Sequence, residues 1–461
     1  MTDARSAEFV NAVIKAYDVR GVVGTQIDPE FVRDIGASFA RLMRAEGAQR
    51  VVIGHDMRDS SPALSAAFAE GVLDNGLDAV HIGLASTDQL YFASGSLNCP
   101  GAMFTASHNP ARYNGIKLCR AGARPVGQDT GLDVIKKEVI EGVSAVDAPR
   151  EARGNATELD LLADYATYLR GLVTLDDLRP LTIAVDAGNG MGGHTVPEVL
   201  GTLANVRIVP LYFELDGTFP NHEANPLDPA NLVDLQALVR ESGADIGLAF
   251  DGDADRCFVV DEHGDPVSPS AVTALVAERE LAKEPGAVVI HNLITSHAVP
   301  ELVGELGGTP VRTRVGHSFI KQEMAATGAV FGGEHSAHYY FRDFWGADSG
   351  MLAALHVLAA LGEKDRPMSE LMASYAKYAA SGEINSTVED AKGSTLAVVS
   401  AFEKRTISVD RLDGVTVQLA DDAWFNLRAS NTEPLLRLNV EARSPEEVDA
   451  LVTEILSIVR S

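Results

Sequence analysis

The sequence predicts an α/β protein, with three α/β units in series followed by a smaller α+β domain at the C-terminus. Three observations carry this. Short apolar runs alternate with amphipathic helical patterns through most of the chain. Three of those runs look alike, at 51–54, 182–186 and 288–291, and they are spaced by roughly one small domain each. The tail differs, because 414–419 and 436–441 alternate apolar and polar residues as antiparallel strands do.

In chain order, the run at 51–54 leads into the polar turn HDMRDSSP, and the run at 182–186 into the Gly-rich AGNGMGG. All three runs are followed by a helical pattern. Apolar residues at 102–104 precede TASHNP (105–110), and the runs 246–250 and 257–260 flank DGDADR (251–256). In the tail, Ser444-Pro445-Glu446-Glu447 opens a helix with Ser as N-cap, Pro in the first turn and Glu three residues on. Val448, Leu451, Val452, Ile455 and Val459 fall on one face of it. Charged or Gly/Pro-rich stretches near 150, 262 and 366–382 set the expected domains at 1–153, 154–262, 263–374 and 375–461.

A chain of 461 residues, 46% hydrophobic and 22% charged, buries several cores. Its 38 basic and 65 acidic residues give a net charge of −27 with no basic block, which argues against nucleic acid or an anionic membrane as partner. Positive groups for an anionic ligand must then be concentrated at one place. Cys99, Cys119 and Cys257 are too few and too scattered for a disulfide framework or a thiolate metal site. The N-terminus lacks the apolar core of a signal peptide, and the longest apolar stretch, 351–361, contains His356 and is too short to span a bilayer. The expectation is a soluble, reduced, cytoplasmic protein.

Four loops carry chemistry. Asp251, Asp253 and Asp255 sit in a tight turn between two apolar strands, where three carboxylates repel one another unless a cation lies among them. Hard oxygen ligands of this kind suit Mg²⁺ or Mn²⁺ completed by a phosphate oxygen. A calcium EF-hand fails, since Arg256 stands where that loop needs Gly and the flanks are strands. In TASHNP, proline after Asn109 stiffens a turn that presents Ser107, a nucleophile or phosphate carrier; His108 is poorly placed as its base, and Lys117 is a better-placed cation. Gly332 to His338 (GGEHSAH) mixes a carboxylate, a hydroxyl and imidazoles, which suits sugar hydroxyls; a zinc site at His335 and His338 has no evident third ligand. Arg428 to Pro434 (RASNTEP) offers an arginine, two hydroxyls and turn amides as a phosphate clamp. Each of the last three, seen singly, is more often an ordinary turn.

Together, in this order, these loops resemble the α-D-phosphohexomutase family over the whole chain. The opening KAYDVRG (15–21), Gly316-His317 after Arg314, and Glu334 make the sequence most like its bacterial phosphomannomutase/phosphoglucomutase branch. The resemblance implies three related α/β domains with mixed sheets and a C-terminal domain similar to the TATA-box-binding-protein fold. It implies reversible interconversion of hexose 6-phosphate and hexose 1-phosphate, for mannose and also glucose, through phospho-Ser107 and a hexose 1,6-bisphosphate intermediate. It assigns Ser107, Asp251, Asp253 and Asp255 to one Mg²⁺ per active site, with hexose 1,6-bisphosphate as activator. Arg20, Lys117 and Arg256 offset the charge at the centre, and Lys117, His317 and His338 are the acid/base candidates for the sugar hydroxyls. Tyr17, Arg256, Glu334, Ser336 and His338 face the substrate, and Arg428, Ser430, Asn431 and Thr432 hold its distal phosphate. Leu293 stands where some dual-specificity members carry a lysine. The expected partners are small hexose phosphates, the expected state a monomer or homodimer. Two rival readings stand beside it: an aspartyl-phosphate mechanism on Asp251 of the haloacid-dehalogenase type, which normally has Thr or Val at the place of Asp255, and a non-enzymatic sugar-phosphate or calcium binder.

Overall fold

The apolar run at 51–54 is the heart of the strand Arg50–His55, buried because parallel strands flank it on both sides. The computed structural model describes residues 5–142, 153–176, 178–420, 422–430 and 435–460. They fall into two compact units, Met1–Val267 with Ser336–Ser369, and Ser268–His335 with Glu370–Ser461.

The first unit contains two sheets. Among the described residues the larger runs Val19–Val22, Tyr113–Arg120, Gly101–Phe104, Arg50–His55, Asp78–Leu84, Ala156–Glu158, with Arg124–Pro125 paired to the second of these. It is mixed: the pairings of Tyr113–Arg120 are antiparallel and the remaining ones parallel. Its core joins Phe31, Phe39, Phe68 and Phe104 to the aliphatic residues of the helices Pro29–Ala45 and Ser61–Asp74. The second sheet runs Pro266–Val267, Cys257–Val260, Ile246–Phe250, Leu181–Asp186, Val206–Leu211. Ile246–Phe250 and Cys257–Val260 form an antiparallel hairpin, so 251–256 is the turn between two buried strands. Ser336–Ser369 adds the hairpin Tyr339–Phe341/Ala347–Asp348 and the helix Gly350–Gly362, which is buried on every side. That helix is the long apolar stretch of the sequence, and no helix among the described residues is long and apolar enough to cross a membrane.

The second unit holds a parallel sheet, Thr309–Thr313, Val288–Asn292, Phe331–Gly333, with the helices Pro269–Lys283, Ala298–Glu305 and His317–Thr327. It also holds an antiparallel sheet in the order Ala379–Ala380, Leu435–Ala442, Trp424–Ala429, Val415–Leu419, Thr406–Asp410, with Ile384–Thr387 also on Leu435–Ala442. Alternation sends Val417, Phe425, Leu427, Leu438 and Val440 into one core with the helices Ala391–Phe402 and Pro445–Val459. The last helix has the expected Ser444 cap, whose hydroxyl accepts from Glu447 N, and buries Val448, Leu451, Ile455 and Val459.

Ala156–Glu158 closes the edge of the first sheet against Asp78–Leu84. Ser336–Ser369 groups with the first unit.

A buried polar knot ties three helices of the first unit together. Asp88, fully buried, accepts from Tyr165 Oη at 2.7 Å, from Ser349 Oγ at 2.6 Å, and from Ser86 Oγ. Burial pushes its carboxyl up from 3.8 to about 6, against the lowering effect of those three hydroxyls. The folded state therefore holds this proton more tightly than the unfolded chain, so the group costs stability as pH rises from about 4 to 6, and the cost is constant above that. Asp88→Asn removes the titration. The melting temperature of the natural protein relative to the variant should fall between pH 4 and 6, by the equivalent of about 2–3 kcal/mol. An unchanged difference across that range would refute it.

Candidate active site

Ser107 follows the buried strand Gly101–Phe104 on a loop held in an uncommon backbone conformation, with φ of 49°. The loop is over-determined by a residue the motif reading passed over. Arg58, in the turn HDMRDSSP, is fully buried, and its Nη atoms donate to the carbonyls of Ser107 (2.8 Å), Asn109 (2.7 Å), Pro110 (3.0 Å) and Tyr113 (3.0 Å). Asp56 accepts from Arg58 Nε at 3.1 Å and supplies the counter-charge. Arg20 adds bonds to Ala106 O (3.2 Å) and Asn109 Oδ1 (2.6 Å), and is paired with Asp18. Ser107 N donates to Thr105 Oγ1 at 2.9 Å.

The acidic turn meets this loop closely. Gly252 is required here, because a Cβ on it would lie 2.4 Å from Ser107 O. Ser107 Oγ donates to Asp251 Oδ2 at 2.9 Å. Carboxylate oxygens of Asp251, Asp253 and Asp255 lie within 4.8 Å of one another, all buried. Lys117 Nζ donates to Asp253 Oδ2 (2.7 Å) and Asp255 Oδ2 (2.6 Å). Arg256 reaches Asp251 Oδ2 through Nε (2.9 Å) and Nη2 (2.8 Å). Thr87, also outside the motifs, donates Oγ1–H to Asp253 Oδ2 at 2.7 Å and its N–H to Asp253 O at 3.0 Å.

The electrostatics follow from this packing. Burial pushes the Asp251 carboxyl up to about 7, lowered by Arg256 but raised further by Asp255 and Asp253. For Asp253 burial acts in the same direction, but the Lys117 charge and hydrogen bond and the Thr87 hydroxyl hold it well below the usual carboxylate range. Burial alone would lower Lys117; Asp253 and Asp255 outweigh it and hold the ammonium well above its ordinary value. Three carboxylates thus face two cations. The buried Oδ1 atoms of Asp253 and Asp255 have no hydrogen-bond partner. Hard oxygen donors with two orphaned atoms among them fit a divalent cation such as Mg²⁺.

His108 is nearer the chemistry than its position beside Ser107 indicated, with Nδ1 3.2 Å from Ser107 Oγ. Arg256 Nη2 occupies the same nitrogen at 2.6 Å, and burial followed by the Arg256 charge holds the imidazole neutral. His338, in the same unit, has Nδ1 at 2.9 Å from Ser336 Oγ and Nε2 at 3.8 Å from Asp255 Oδ1. Tyr17 is exposed.

In the second unit, Glu334 is buried and its Oε1 accepts from Asn292 Nδ2 (3.0 Å) and Gly316 N (3.3 Å). Asn292, itself fully buried, is a further residue the motifs did not mark; its Oδ1 accepts from Thr295 Oγ1 at 2.8 Å. Leu293 is buried. His317 opens the helix His317–Thr327 directly after Gly316. His335 lies beside Ser270, Nδ1 to Oγ 3.4 Å, and burial lowers its pKa. Arg428 pairs with Glu383, and Ser430 N donates to Leu435 O at 2.8 Å. Asn431 and Thr432 lie outside the described residues.

Four family models match the chain in order: phosphoglucomutase/phosphomannomutase alpha/beta/alpha domain I at 11–143, domain II at 163–264, domain III at 268–378, and the C-terminal domain at 383–458. The phosphomannomutase of Salmonella typhimurium is 40% identical over 439 residues, covering 93% of this chain and 94% of its own. The chain belongs to the phosphoglucomutase/phosphomannomutase family. A relative named for phosphohexose mutases in Xanthomonas campestris pv. campestris is 40% identical over 432 residues, 93% of this chain and 94% of that one. The crystal structure of a phosphoglucomutase/phosphomannomutase family protein from Burkholderia thailandensis superposes with a TM-score of 0.87 at 30% identity, covering 97% and 98% of the two chains. Membership in this family makes the chain a hexose-phosphate mutase, an isomerase of α/β class. For the phosphohexomutase resemblance drawn from four loops, the matches span the chain on both sides of each loop.

Proposed function

We propose that the enzyme interconverts hexose 6-phosphate and hexose 1-phosphate through phospho-Ser107 and a hexose 1,6-bisphosphate, with mannose phosphates as the main substrates and glucose phosphates also accepted. The observation that carries this reading is the 2.9 Å contact between Ser107 Oγ and Asp251, which sets a rigidly held hydroxyl at the edge of a buried, cation-deficient carboxylate cluster. O1 and O6 lie at opposite ends of a hexose, so a carrier on the protein is needed. In the first transfer the phosphorus–Oγ bond of phospho-Ser107 breaks and a bond forms to the free sugar oxygen, whose proton passes to a base. In the second, the other phosphate returns to Ser107 Oγ and the proton goes back.

The rest is positioning and charge. Asp251, Asp253 and Asp255 would hold Mg²⁺ with a phosphoserine oxygen; the ion supplies charge neutralisation at the transferring phosphoryl. Arg20, Arg256 and Lys117 crowd the same place with positive charge. Lys117, raised in pKa by its two carboxylates, is charged at neutral pH and suits the donor role, leaving His317 and His338 as candidate bases. Glu334, oriented by Asn292 and Gly316, accepts from ring hydroxyls, and Arg428, Ser430, Asn431 and Thr432 take the distal phosphate. Asp251 is wholly buried under Arg256 and Ser107, which disfavours it as the phosphate carrier.

The deciding assay offers mannose 1-phosphate, glucose 1-phosphate and glucosamine 1-phosphate with hexose 1,6-bisphosphate present. Turnover of the first two is expected, with an acid-stable phosphate label on Ser107. A strong preference for glucosamine phosphate, or a hydroxylamine-labile label, would overturn it. Thr87→Val removes the hydroxyl that orients Asp253 without changing side-chain shape. Calorimetric titration should show Mg²⁺ affinity falling about tenfold or more, with Thr87→Ser restoring it.

A further inference from the structure

The second unit encloses a cavity of about 220 Å³ that no step of the reaction uses. It lies between the start of the helix Pro269–Lys283, the turn before Ala298–Glu305, and the polar face of the strand Leu435–Ala442. His335, next in the chain after Glu334, also lines it. No lysine or arginine is among the lining residues, whereas the carboxylate of Glu441 is, so an anion is disfavoured there, the hexose phosphates included. A cation is disfavoured as well. Glu441 Oε1 is already engaged by His297 N (2.9 Å) and Trp424 Nε1 (2.8 Å), and two helix N-termini, each with partial positive charge, open on the same space.

The remaining polar groups both donate and accept. Asn439 is buried, and its Nδ2 has no acceptor. Asn426, opposite it on the neighbouring strand, does not answer it: its Nδ2 donates to Asp413 O and Thr416 Oγ1, and its Oδ1 is unpaired too. Ser270 Oγ accepts from Ser296 N at 3.1 Å and lies 3.4 Å from His335 Nδ1. Aromatic side chains complete the walls. Trp424 stacks on His297, and the hydroxyls of Tyr375 and Tyr378 are tied to Glu278 and Glu301, which leaves their rings to the cavity. A carboxylate, an amide, hydroxyls and an imidazole between aromatic walls suit an uncharged ligand with several hydroxyls and apolar C–H faces. The volume is below the roughly 300 Å³ at which drug-sized sites begin, which limits the ligand to one ring.

We propose that this cavity is a second sugar site, taking an unphosphorylated hexose or a polyol of the same size. Glu441 and Asn439 bind its hydroxyls, and Trp424, Tyr375 and Tyr378 face its C–H groups. The site is separate from the catalytic one and stands whether or not Ser107 is the phosphate carrier. A buried amide without an acceptor destabilises the unliganded fold, and a ligand hydroxyl removes that cost.

The test is calorimetric titration of D-mannose, D-glucose and D-mannitol into the full-length Ser107→Ala protein, with excess mannose 1-phosphate present to fill the catalytic site. Choline and inorganic phosphate serve as the cationic and anionic controls. At least one of the three sugars should bind, one per chain, with a dissociation constant of roughly 1–5 mM, and neither control should. Asn439→Leu, and Ala271→Leu, which fills the cavity from the helix side, should each weaken that binding at least about tenfold. Asn439→Leu should melt no lower than its parent, since it removes an unpaired buried amide, and in the protein that keeps Ser107 it should turn over mannose 1-phosphate at the natural rate. If Asn439→Leu does not fold, Ala271→Leu decides alone. The proposal is overturned if none of the sugars binds, if binding survives the substitutions, or if choline or phosphate binds and is the ligand that Asn439→Leu and Ala271→Leu abolish.

Discussion

Ser107→Ala is expected to lower kcat by at least about 10,000-fold while leaving the affinity for mannose 1-phosphate within a few-fold of the natural protein. The size of the effect follows from the role, because without Oγ there is nowhere for the phosphoryl group to rest between the two ends of the sugar. Its cleanness follows from the structure. The loop takes its shape from backbone contacts, with Arg58 binding four carbonyls and Arg20 a fifth, and none of them involves the serine hydroxyl. Alanine meets the same backbone cost at φ 49° as serine does. The variant thus tests chemistry without disturbing the fold. Steady-state turnover and phosphate labelling from hexose 1,6-bisphosphate measure it, and a kcat within tenfold of normal would end the serine-carrier mechanism.

The second large effect is on stability. Lys117→Met leaves Asp251, Asp253 and Asp255 buried with, among the described residues, Arg256 as the remaining cation hydrogen-bonded to one of them. Breaking a buried ion pair from one side costs about 3–5 kcal/mol, because the other charge stays desolvated. In the natural protein Lys117 holds Asp253 below its ordinary pKa against burial; without Lys117 burial is less opposed and raises the carboxyl, so the variant's Asp253 takes up a proton as pH falls towards 4 while the natural protein's stays charged. The variant should therefore melt well below the natural protein at pH 8 in EDTA, and the gap should narrow towards pH 4 as the carboxylates take up protons. Saturating Mg²⁺ should recover much of the loss, since an ion bound only by the folded state stabilises it by mass action. A gap that is the same at both pH values, or indifferent to Mg²⁺, would show that Lys117 acts through packing of its methylenes instead.

Much of this molecule was legible in the sequence, and for a definite reason. The turn 251–256 could be placed between strands because five apolar residues precede it and four follow, and carboxylates in such a place need a cation. The C-terminal helix was readable from Ser444, Pro445 and a single apolar face, all local features. Local signals do not reach the residues that hold the site in shape. Arg58 lies 49 residues from Ser107 and Thr87 lies 166 from Asp253, and each looks like an ordinary polar turn or cap residue until the sheets bring the loops together. Asn292 and Glu334 meet in the same way across 42 residues.

The alternation at 436–441 identified a strand with one apolar face, and that face is the core. What alternation does not say is that the polar face is also covered, with Asn439 and Glu441 buried and Glu441 accepting from Trp424 Nε1 at 2.8 Å and His297 N at 2.9 Å. That Ala156–Glu158 pairs with Asp78–Leu84 likewise had no local mark, because a strand joins whichever sheet offers it an edge. By itself the sequence determined the elements, the loops and the kind of chemistry each loop can do, since those depend on residues adjacent along the chain. Only the tertiary structure decided which side chains hold Ser107 and Asp253 in place, since that depends on hydrogen-bonding and charge contacts between segments the chain keeps far apart.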